Sequence, residues 1–103
     1  MSIDLRWEDE NGNELAVVDS PPASRFASLI PAAISADYPC LRYVDLYGDT
    51  TFNQLLITQL AEDLSQTLLR CQDDATRQHI EAMLVLVRKA KGEPHTYIKF
   101  YGD

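Results

Sequence analysis

Two segments in the second half of the chain carry apolar residues at every third or fourth position, and they constrain the fold most. Ile57, Leu60, Ala61, Leu64, Leu68 and Cys71 form the first stripe, and Ile80, Met83, Leu84, Val87 and Ala90 form the second. This spacing places each stripe on one side of an α-helix. We expect helices over Thr58–Cys71 and Asp74–Lys91. Because so few residues separate them, they must pack as antiparallel neighbours.

The residues at the ends of these segments fit helix termini. Thr58, Asp73 and Asp74 are side chains that accept hydrogen bonds from the free N–H groups of a first helical turn. Gly92 suits the position after the last turn, where the backbone often takes positive φ. We therefore expect Thr58 to cap the first helix and the two aspartates to cap the second.

Alternating apolar and polar residues at the beginning of the chain predict two strands. Ile3, Leu5 and Trp7 alternate with charged residues, and the alternation resumes after Asn11-Gly12. Asn-Gly between alternating segments is a strong signal for a hairpin, because both residues tolerate positive φ. The expected strands cover about residues 2–9 and 13–19.

The segment of residues 23–36 has mixed signals. Phe26, Leu29, Ile30, Ala33 and Ile34 follow a helical spacing, with Ser24 as a possible cap. Pro31 interrupts the run, because proline lacks the N–H that a helix interior needs. One short helix or two turns are expected here.

Three further extended segments complete the expected fold. Leu41–Leu46 is rich in residues that favour strands, and Thr50–Ile57 is expected to return beside it around Tyr47-Gly48-Asp49. Thr96–Tyr101 is the last strand. The sequence therefore predicts a single α+β domain over residues 1–103. It would have a largely antiparallel sheet of about five strands, with the two helices packed on one face.

The charge of the chain is acidic and uneven. The formal net charge is −7, and residues 1–50 hold nine acidic side chains against three basic ones. Such a field repels nucleic acid and anionic membranes and favours a basic protein partner. Neither a leader-like basic and apolar start nor an apolar run of membrane-spanning length is present, so a cytoplasmic location is expected. Acidity that serves only solubility is the alternative.

No known arrangement for catalysis, a cofactor or a metal stands out in the sequence. Cys40 and Cys71 do not form a CxxC pair, and His79 and His95 have no partner at ligand spacing. The four glycines are isolated, so no phosphate-binding loop is expected. We expect no enzymatic activity, no cofactor, no metal and two free thiols.

The pattern Y-x-x-x-Y-G-D occurs twice, at residues 43–49 and 97–103. If both copies are strands, alternate side chains of each point away from the helices. We expect these to form a partner-binding face together with the aspartates at the strand ends, and we expect Asp45 and Lys99 to pair across it. The proposed set is Tyr43, Asp45, Tyr47, Asp49, Tyr97, Lys99, Tyr101 and Asp103. Ordinary strand propensity followed by glycine turns is the alternative explanation.

The stretches YGDT-x-FN at residues 47–53 and HTY-x-x-F-x-GD at residues 95–103 resemble a family of small, uncharacterised bacterial proteins. The resemblance covers about residues 41–103. It implies a bacterial origin and two YGD ends that lie side by side in the sheet and act together. In size and acidity the chain is also similar in kind to immunity proteins, which neutralise toxins.

These observations predict a small acidic binding protein. The first hypothesis is an immunity protein or inhibitor that blocks the active site of a basic toxin domain. The alternative is a nucleic-acid mimic or an adaptor that occupies the nucleic-acid-binding groove of a partner. The oligomeric state stays open.

Overall fold

A computed structural model describes residues 2–31 and 35–103. Its strands are β1 Ile3–Asp9, β2 Glu14–Val18, β3 Asp49–Phe52 and β4 Thr96–Gly102, and its helices are α1 Ile57–Arg70 and α2 Asp74–Ala90. The strands form one antiparallel sheet in the order β2-β1-β4-β3. The expected α+β class is thus confirmed, with four strands in the described residues instead of about five.

The first hairpin forms where the sequence predicted it. Gly12 has φ of +82°, which glycine adopts without strain. The Asp9 carboxylate closes the turn, because its Oδ1 accepts hydrogen bonds from the N–H groups of Asn11 and Asn13, both at 2.9 Å. These bonds also lower the pKa of Asp9, since they stabilise its charged form.

The core lies between one face of the sheet and the helices. Along β4, Ile98 and Phe100 are fully buried, and Ile3 and Leu5 of β1 are equally buried beside them. Phe52 of β3 packs edge-to-face on Phe100, with 5.9 Å between ring centroids. Helix α2 covers β1, β2 and β4, whereas α1 packs mainly on α2 and on the segments that precede it.

The helix termini are partly as predicted. Asp73 caps α2 by accepting a hydrogen bond from the N–H of Thr76 at 3.0 Å, and Gly92 follows the helix with φ of +84°. The expected Thr58 cap is wrong. A short 3₁₀ turn at Gln54–Leu56 precedes α1, and Asn53 caps it by accepting a hydrogen bond from the N–H of Leu55.

The expected strand over Leu41–Leu46 is wrong. Leu41–Tyr43 forms a 3₁₀ turn, and no hairpin forms around Tyr47-Gly48-Asp49, because β3 pairs with β4 instead. Leu41 in this turn and Val44 directly after it are both buried. Their spacing of three residues fits a 3₁₀ turn, in which i and i+3 lie on the same side. The expected return segment Thr50–Ile57 is likewise a strand only as far as Phe52.

A buried carboxylate on α1 explains why this segment turns. Asp63 is 1% exposed, and its Oδ2 accepts hydrogen bonds from the N–H groups of Cys40 and Leu41, at 2.8 and 3.0 Å. Gln59 donates to the other carboxylate oxygen at 2.8 Å. Because Asp63 takes up these backbone donors, they are not available for a strand ladder.

Residues 23–31 contain a single 3₁₀ turn at Phe26–Leu29, which inserts Phe26 into the core. The cap position of this turn is Arg25, not Ser24 as expected; the Ser24 hydroxyl, one residue earlier, accepts a hydrogen bond from the N–H of Phe26 at 3.3 Å and lies 2.7 Å from Nδ1 of His79. The predicted helical positions Ala33 and Ile34 lie outside the described residues. Within the part of the chain that the structure describes, neither helix is long and apolar enough to cross a membrane.

Candidate functional site

All of the second Y-x-x-x-Y-G-D copy except Asp103 lies in β4, one of the two inner strands of the sheet. Burial alternates along it, with Ile98 and Phe100 buried and Tyr97, Lys99 and Tyr101 half-buried on the opposite face. The latter three side chains therefore lie on the face of the sheet that turns away from the helices, as the alternation predicted. We call this surface the outer sheet face.

Tyr101 is the centre of a network on the outer sheet face. The guanidinium of Arg6 lies 4.5 Å from its ring centroid, and the ammonium of Lys99 lies 5.0 Å from it. Its hydroxyl donates a hydrogen bond to the Glu8 carboxylate at 2.5 Å. Loss of hydration and the bond to Glu8 both raise the pKa of Tyr101, and Lys99 opposes them. Tyr101 is therefore already occupied by contacts within the chain.

This network extends across all four strands. Arg6 forms an ion pair with Glu14 of β2 at 3.4 Å, and Lys99 forms one with Asp49 of β3 at 3.8 Å. Arg6 and Lys99 stand directly opposite each other in the β1–β4 register, an arrangement that repulsion between like charges normally disfavours. The Tyr101 ring and the two flanking carboxylates offset that repulsion. Contact with Tyr101 is also the main reason why the pKa of Lys99 is raised.

The first copy has a different structure. Tyr43 ends the 3₁₀ turn and is 59% exposed, and Tyr47 is 73% exposed in the segment that leads to β3. Asp45 folds this segment, since its Oδ1 accepts a hydrogen bond from the N–H of Tyr47 at 2.9 Å. Tyr43, Asp45 and Tyr47 thus lie outside the sheet, so their expected place on a strand is wrong. Lys99 pairs with Asp49, not with Asp45 as expected.

The ends of the two copies nevertheless meet. The N–H of Gly102 donates to the carbonyl of Gly48 at 2.8 Å, and Asp49 stands opposite Tyr101 in the β3–β4 register. A side chain at Gly102 would have its Cβ 2.5 Å from the carbonyl oxygen of Asp45, and as close to that of Leu46. Only glycine allows the segment to pass so near the strand.

Asp103 lies just beyond this meeting point and is tied to the beginning of β1. Its two carboxylate oxygens accept hydrogen bonds from the N–H and the hydroxyl of Ser2, at 2.8 and 2.9 Å. These bonds lower the pKa of Asp103. The structure therefore brings Asp45, Asp49 and Asp103 to one end of β3 and β4. We call this place the YGD rim.

The net charge of the chain lies entirely on the strands and the turns next to them. Residues 2–20, 43–52 and 95–103 hold nine acidic and two basic side chains, which accounts for the whole charge of −7. We call these residues the sheet side. The remaining residues hold seven acidic and seven basic side chains and are neutral as a group. The net negative field of the chain therefore arises from the sheet side.

Three residues of the network were not in the set proposed from the sequence: Arg6, Glu8 and Glu14. Their signal was present in part, since the alternation along β1 places Arg6 and Glu8 on the face opposite Leu5. The pairing of β1 with β4, which brings them to Tyr101, links residues 87 to 99 positions apart. No local pattern in the sequence indicates such a pairing.

The cysteines and the side chains that could bind a metal are not arranged as a reactive site in the described residues. Burial, with a smaller contribution from Asp63, raises the pKa of the Cys40 thiol to about 11. Cys40 and Cys71 are free thiols, as expected, with Cys40 buried and Cys71 half-buried. In the part of the chain that the structure describes, no three His, Cys, Asp or Glu side chains cluster as metal ligands would.

Comparison of the chain with models of known protein families, with curated proteins and with solved structures finds no match. The resemblance suggested by the YGDT-x-FN and HTY-x-x-F-x-GD stretches stays a prediction.

Proposed function

We propose that the protein binds a cationic protein through its sheet side, with the YGD rim at the centre of the contact. In the specific form of this proposal it is a cytoplasmic inhibitor, of the immunity-protein kind, that covers the active site of a basic toxin domain. The observation that carries the proposal is the separation of charge, in which the sheet side holds −7 and the rest of the chain is neutral.

This separation favours one orientation of approach. A basic protein is attracted to the sheet side and gains no net attraction from the neutral helix side, so encounters are steered before any contact forms. Steering raises the association rate, and added salt screens it over about 10 Å at 0.1 M ionic strength. Association of the complex should therefore slow with salt much more than dissociation quickens.

An exposed aromatic side chain next to the rim supplies an anchor. Tyr47 is the most exposed tyrosine of the described residues, whereas the exposed Tyr43 already holds Arg42, which lies 4.7 Å from its ring centroid and donates to its hydroxyl at 2.9 Å. Tyrosine is enriched among the residues that contribute most to protein interfaces, and its ring also attracts Arg and Lys. The Asp45 turn and the close passage beside Gly102 hold Tyr47 in a defined position, which lowers the entropy lost on binding.

The alternative, a nucleic-acid mimic or adaptor, would use the same acidic side. A mimic with a regular row of carboxylates along a helix is not favoured, because the helix side as a whole is neutral. The same binding experiment separates the two, since a mimic competes with DNA or RNA for its partner and a toxin inhibitor need not.

The test compares three immobilised baits in lysates of the source cell. The first is the wild-type protein. The second carries Asp45→Asn, Asp49→Asn and Tyr47→Ala on the sheet side; asparagine at position 45 can still accept the turn hydrogen bond. The matched control carries Glu62→Gln, Glu81→Gln and Leu69→Ala, which are exposed positions on the helix side.

The expected result is a basic protein that the wild type and the helix-side control capture, and that the sheet-side variant binds at least thirtyfold more weakly. That loss corresponds to about 2 kcal/mol. The captured protein is then purified, and its activity is measured with and without the wild-type chain. A partner that all three baits bind equally would refute the proposed surface. A bound partner that keeps full activity would refute the inhibitor role.

A further inference from the structure

The segment of residues 20–31, which we call the strap, is fastened to α2 through two positions one turn apart. The Ser24 hydroxyl lies 2.7 Å from Nδ1 of His79, and the N–H of Arg25 donates to Oγ1 of Thr76 at 2.7 Å. Thr76 in turn donates to the Asp73 cap at 2.9 Å. Phe26, the residue after Arg25, enters the core.

The His79 ring is the most buried imidazole that the structure describes. The residue is 2% exposed, and Phe26, itself 1% exposed, packs edge-on to the ring with 5.6 Å between centroids. Nε2 is buried and meets no full hydrogen-bond geometry among the described residues, although the backbone of Ile3 lies near enough to favour a charged ring. The ring is therefore in contact with the strap on one side and with the core on the other.

The hydrogen bonds around Ser24 fit a neutral histidine. Ser24 Oγ accepts a hydrogen bond from the N–H of Phe26 at 3.3 Å, so its own proton is free to be donated to Nδ1. A proton added to Nδ1 would reverse the direction of that hydrogen bond, because the hydroxyl can also accept, and would place a full charge beside Phe26. Such a charge is costly where no water reaches it.

The charged groups near His79 do not offset the cost of a charge on its ring. Asp4 on β1 is the carboxylate that acts on His79, and its Oδ1 already accepts a hydrogen bond from the N–H of Ser20 at 2.7 Å. Arg25 on the strap and Asp73 at the beginning of α2 attract each other. Burial lowers the pKa of His79 more than Asp4 and the Ile3 backbone raise it.

From this geometry we propose that the strap is released by acid: it stays closed on α2 while His79 is neutral, and it opens when His79 takes up a proton. The ring binds a proton more readily in the open state, where it meets water. The closed state is therefore fully favoured above the ordinary pKa of 6.5 and loses that advantage as the pH falls below it. This inference does not depend on the proposed partner.

Deuterium exchange of the folded protein tests it, with uptake by residues 20–31 compared with uptake by α1 and corrected for intrinsic exchange rates. Between pH 7.5 and pH 5 the opening of the strap should increase by up to about thirtyfold, the limit for one proton with an open-state pKa of about 6.5. Opening of α1 should change much less. An equal change in both segments would mean global unfolding and would overturn the proposal.

Two substitutions and one titration complete the test. His79→Asn keeps an acceptor near Ser24 but cannot take up the proton, so its strap should lose the pH dependence; the exposed His95→Asn variant should retain it. Ser24→Ala should open the strap more at pH 7.5 than in the wild type. If His79→Asn does not fold, the NMR titration of His79 in the wild type decides, because a ring that titrates near pH 6.5 in the folded protein would refute the proposal.

Discussion

The two Y-x-x-x-Y-G-D copies have the same key residues and different structures. Residues 97–102 lie in β4, one of the two inner strands, which pairs with β1 on one side and with β3 on the other. Residues 43–49 begin at the last residue of a 3₁₀ turn and form a second turn around Asp45. Only Asp49 belongs to a strand. The second copy thus holds the sheet together, whereas the first lies against its end and exposes its tyrosines.

The difference shows that the tertiary contacts of a segment, more than its own sequence, decide its structure. The first copy follows residues whose backbone donors are held by Asp63 of α1. The second follows the sharp exit from α2, and two strands are available to pair with it. Strand propensity spans only about 1 kcal/mol and gives way to such contacts.

The largest expected effect is a difference in stability between alanine substitutions at Gly102 and at Gly48, the glycines of the two copies. In Gly102→Ala, the new methyl group would meet the backbone carbonyls of Asp45 and Leu46, which cannot move without shifting the segment. We expect this variant to lose about 3 kcal/mol of unfolding free energy. In Gly48→Ala the new group lies 2.7 Å from the Asp45 carboxylate, a side chain that can rotate away. A loss of about 1 kcal/mol is expected there, as the bond to the Tyr47 N–H breaks.

Urea unfolding of both variants measures this difference. Equal losses would show that the first copy is as tightly packed against β4 as the strand itself, and that the contrast between the copies is smaller than the structure indicates.

The second prediction compares the stability of alanine variants at Tyr101 and Tyr47, which hold corresponding positions in the two copies. Tyr101→Ala removes the ring under Arg6 and Lys99 and leaves these two like charges facing each other. We expect a loss of about 2 kcal/mol. Tyr47→Ala at the corresponding position of the first copy should change stability by less than about 0.5 kcal/mol, because Tyr47 is 73% exposed.

Thermal melts of the two single variants provide the measurement. A Tyr47→Ala variant that melts far below the wild type would place that ring in a contact that the structure lacks. It would also make Tyr47 unsuitable as a probe of partner binding.

A smaller effect is expected when only the Tyr101 hydroxyl is removed. Tyr101→Phe keeps the ring and its contacts with the two cations but loses the hydrogen bond to Glu8. A loss of about 1 kcal/mol is expected. Glu8→Gln, which retains an acceptor without the charge, is the matched control and should lose less. If Tyr101→Phe matches the wild type in urea unfolding, the hydroxyl contributes nothing to the network.

The smallest expected effect is a change in acid stability on substitution of Asp103, with Asp49, the aspartate that ends the first copy, for comparison. The two bonds from Ser2 lower the pKa of Asp103 in the folded protein. Its contribution to stability is therefore present above the unfolded pKa of about 3.8 and is lost as the pH falls through the lower folded value. We expect Asp103→Asn to lose less stability than the wild type between pH 5 and pH 3.

Asp49→Asn is the control for that measurement. Its carboxylate forms an ion pair with Lys99 but accepts no hydrogen bond in the described residues. If urea unfolding at both pH values gives the same difference for Asp103→Asn as for Asp49→Asn, the Ser2 contact does not contribute to acid stability.

Local patterns were sufficient for the regular elements. Alternation with Asn11-Gly12 predicted the first hairpin, and the two stripes with Asp73 and Gly92 predicted both helices to within one or two residues. The same kind of reasoning failed at Leu41–Leu46, since residues that favour strands also fill a buried turn. It failed at Thr58 as well, because a 3₁₀ turn extends the helix backwards to the Asn53 cap.

The outer sheet face could be predicted only in part. Alternation along β4 identified Tyr97, Lys99 and Tyr101 as neighbours on one face. It could not show that Tyr101 is occupied by Arg6 and Glu8, because those contacts depend on which strand lies beside β4. It also placed Tyr43 and Tyr47 on a strand that does not form, and both side chains are instead exposed outside the sheet.

The sequence by itself determined the α+β class, the first hairpin, the helix pair and the net charge of −7, because periodicity, turn residues and charge are properties of short segments or of the composition. Only the tertiary structure decided the strand order β2-β1-β4-β3, the turn at residues 41–43, and the gathering of the whole net charge on the sheet side. Each of these depends on contacts between residues far apart in the chain, such as Asp63 with Cys40 and Tyr101 with Glu8. Such contacts form only when the elements pack, and packing satisfies backbone groups and side chains together rather than one segment at a time.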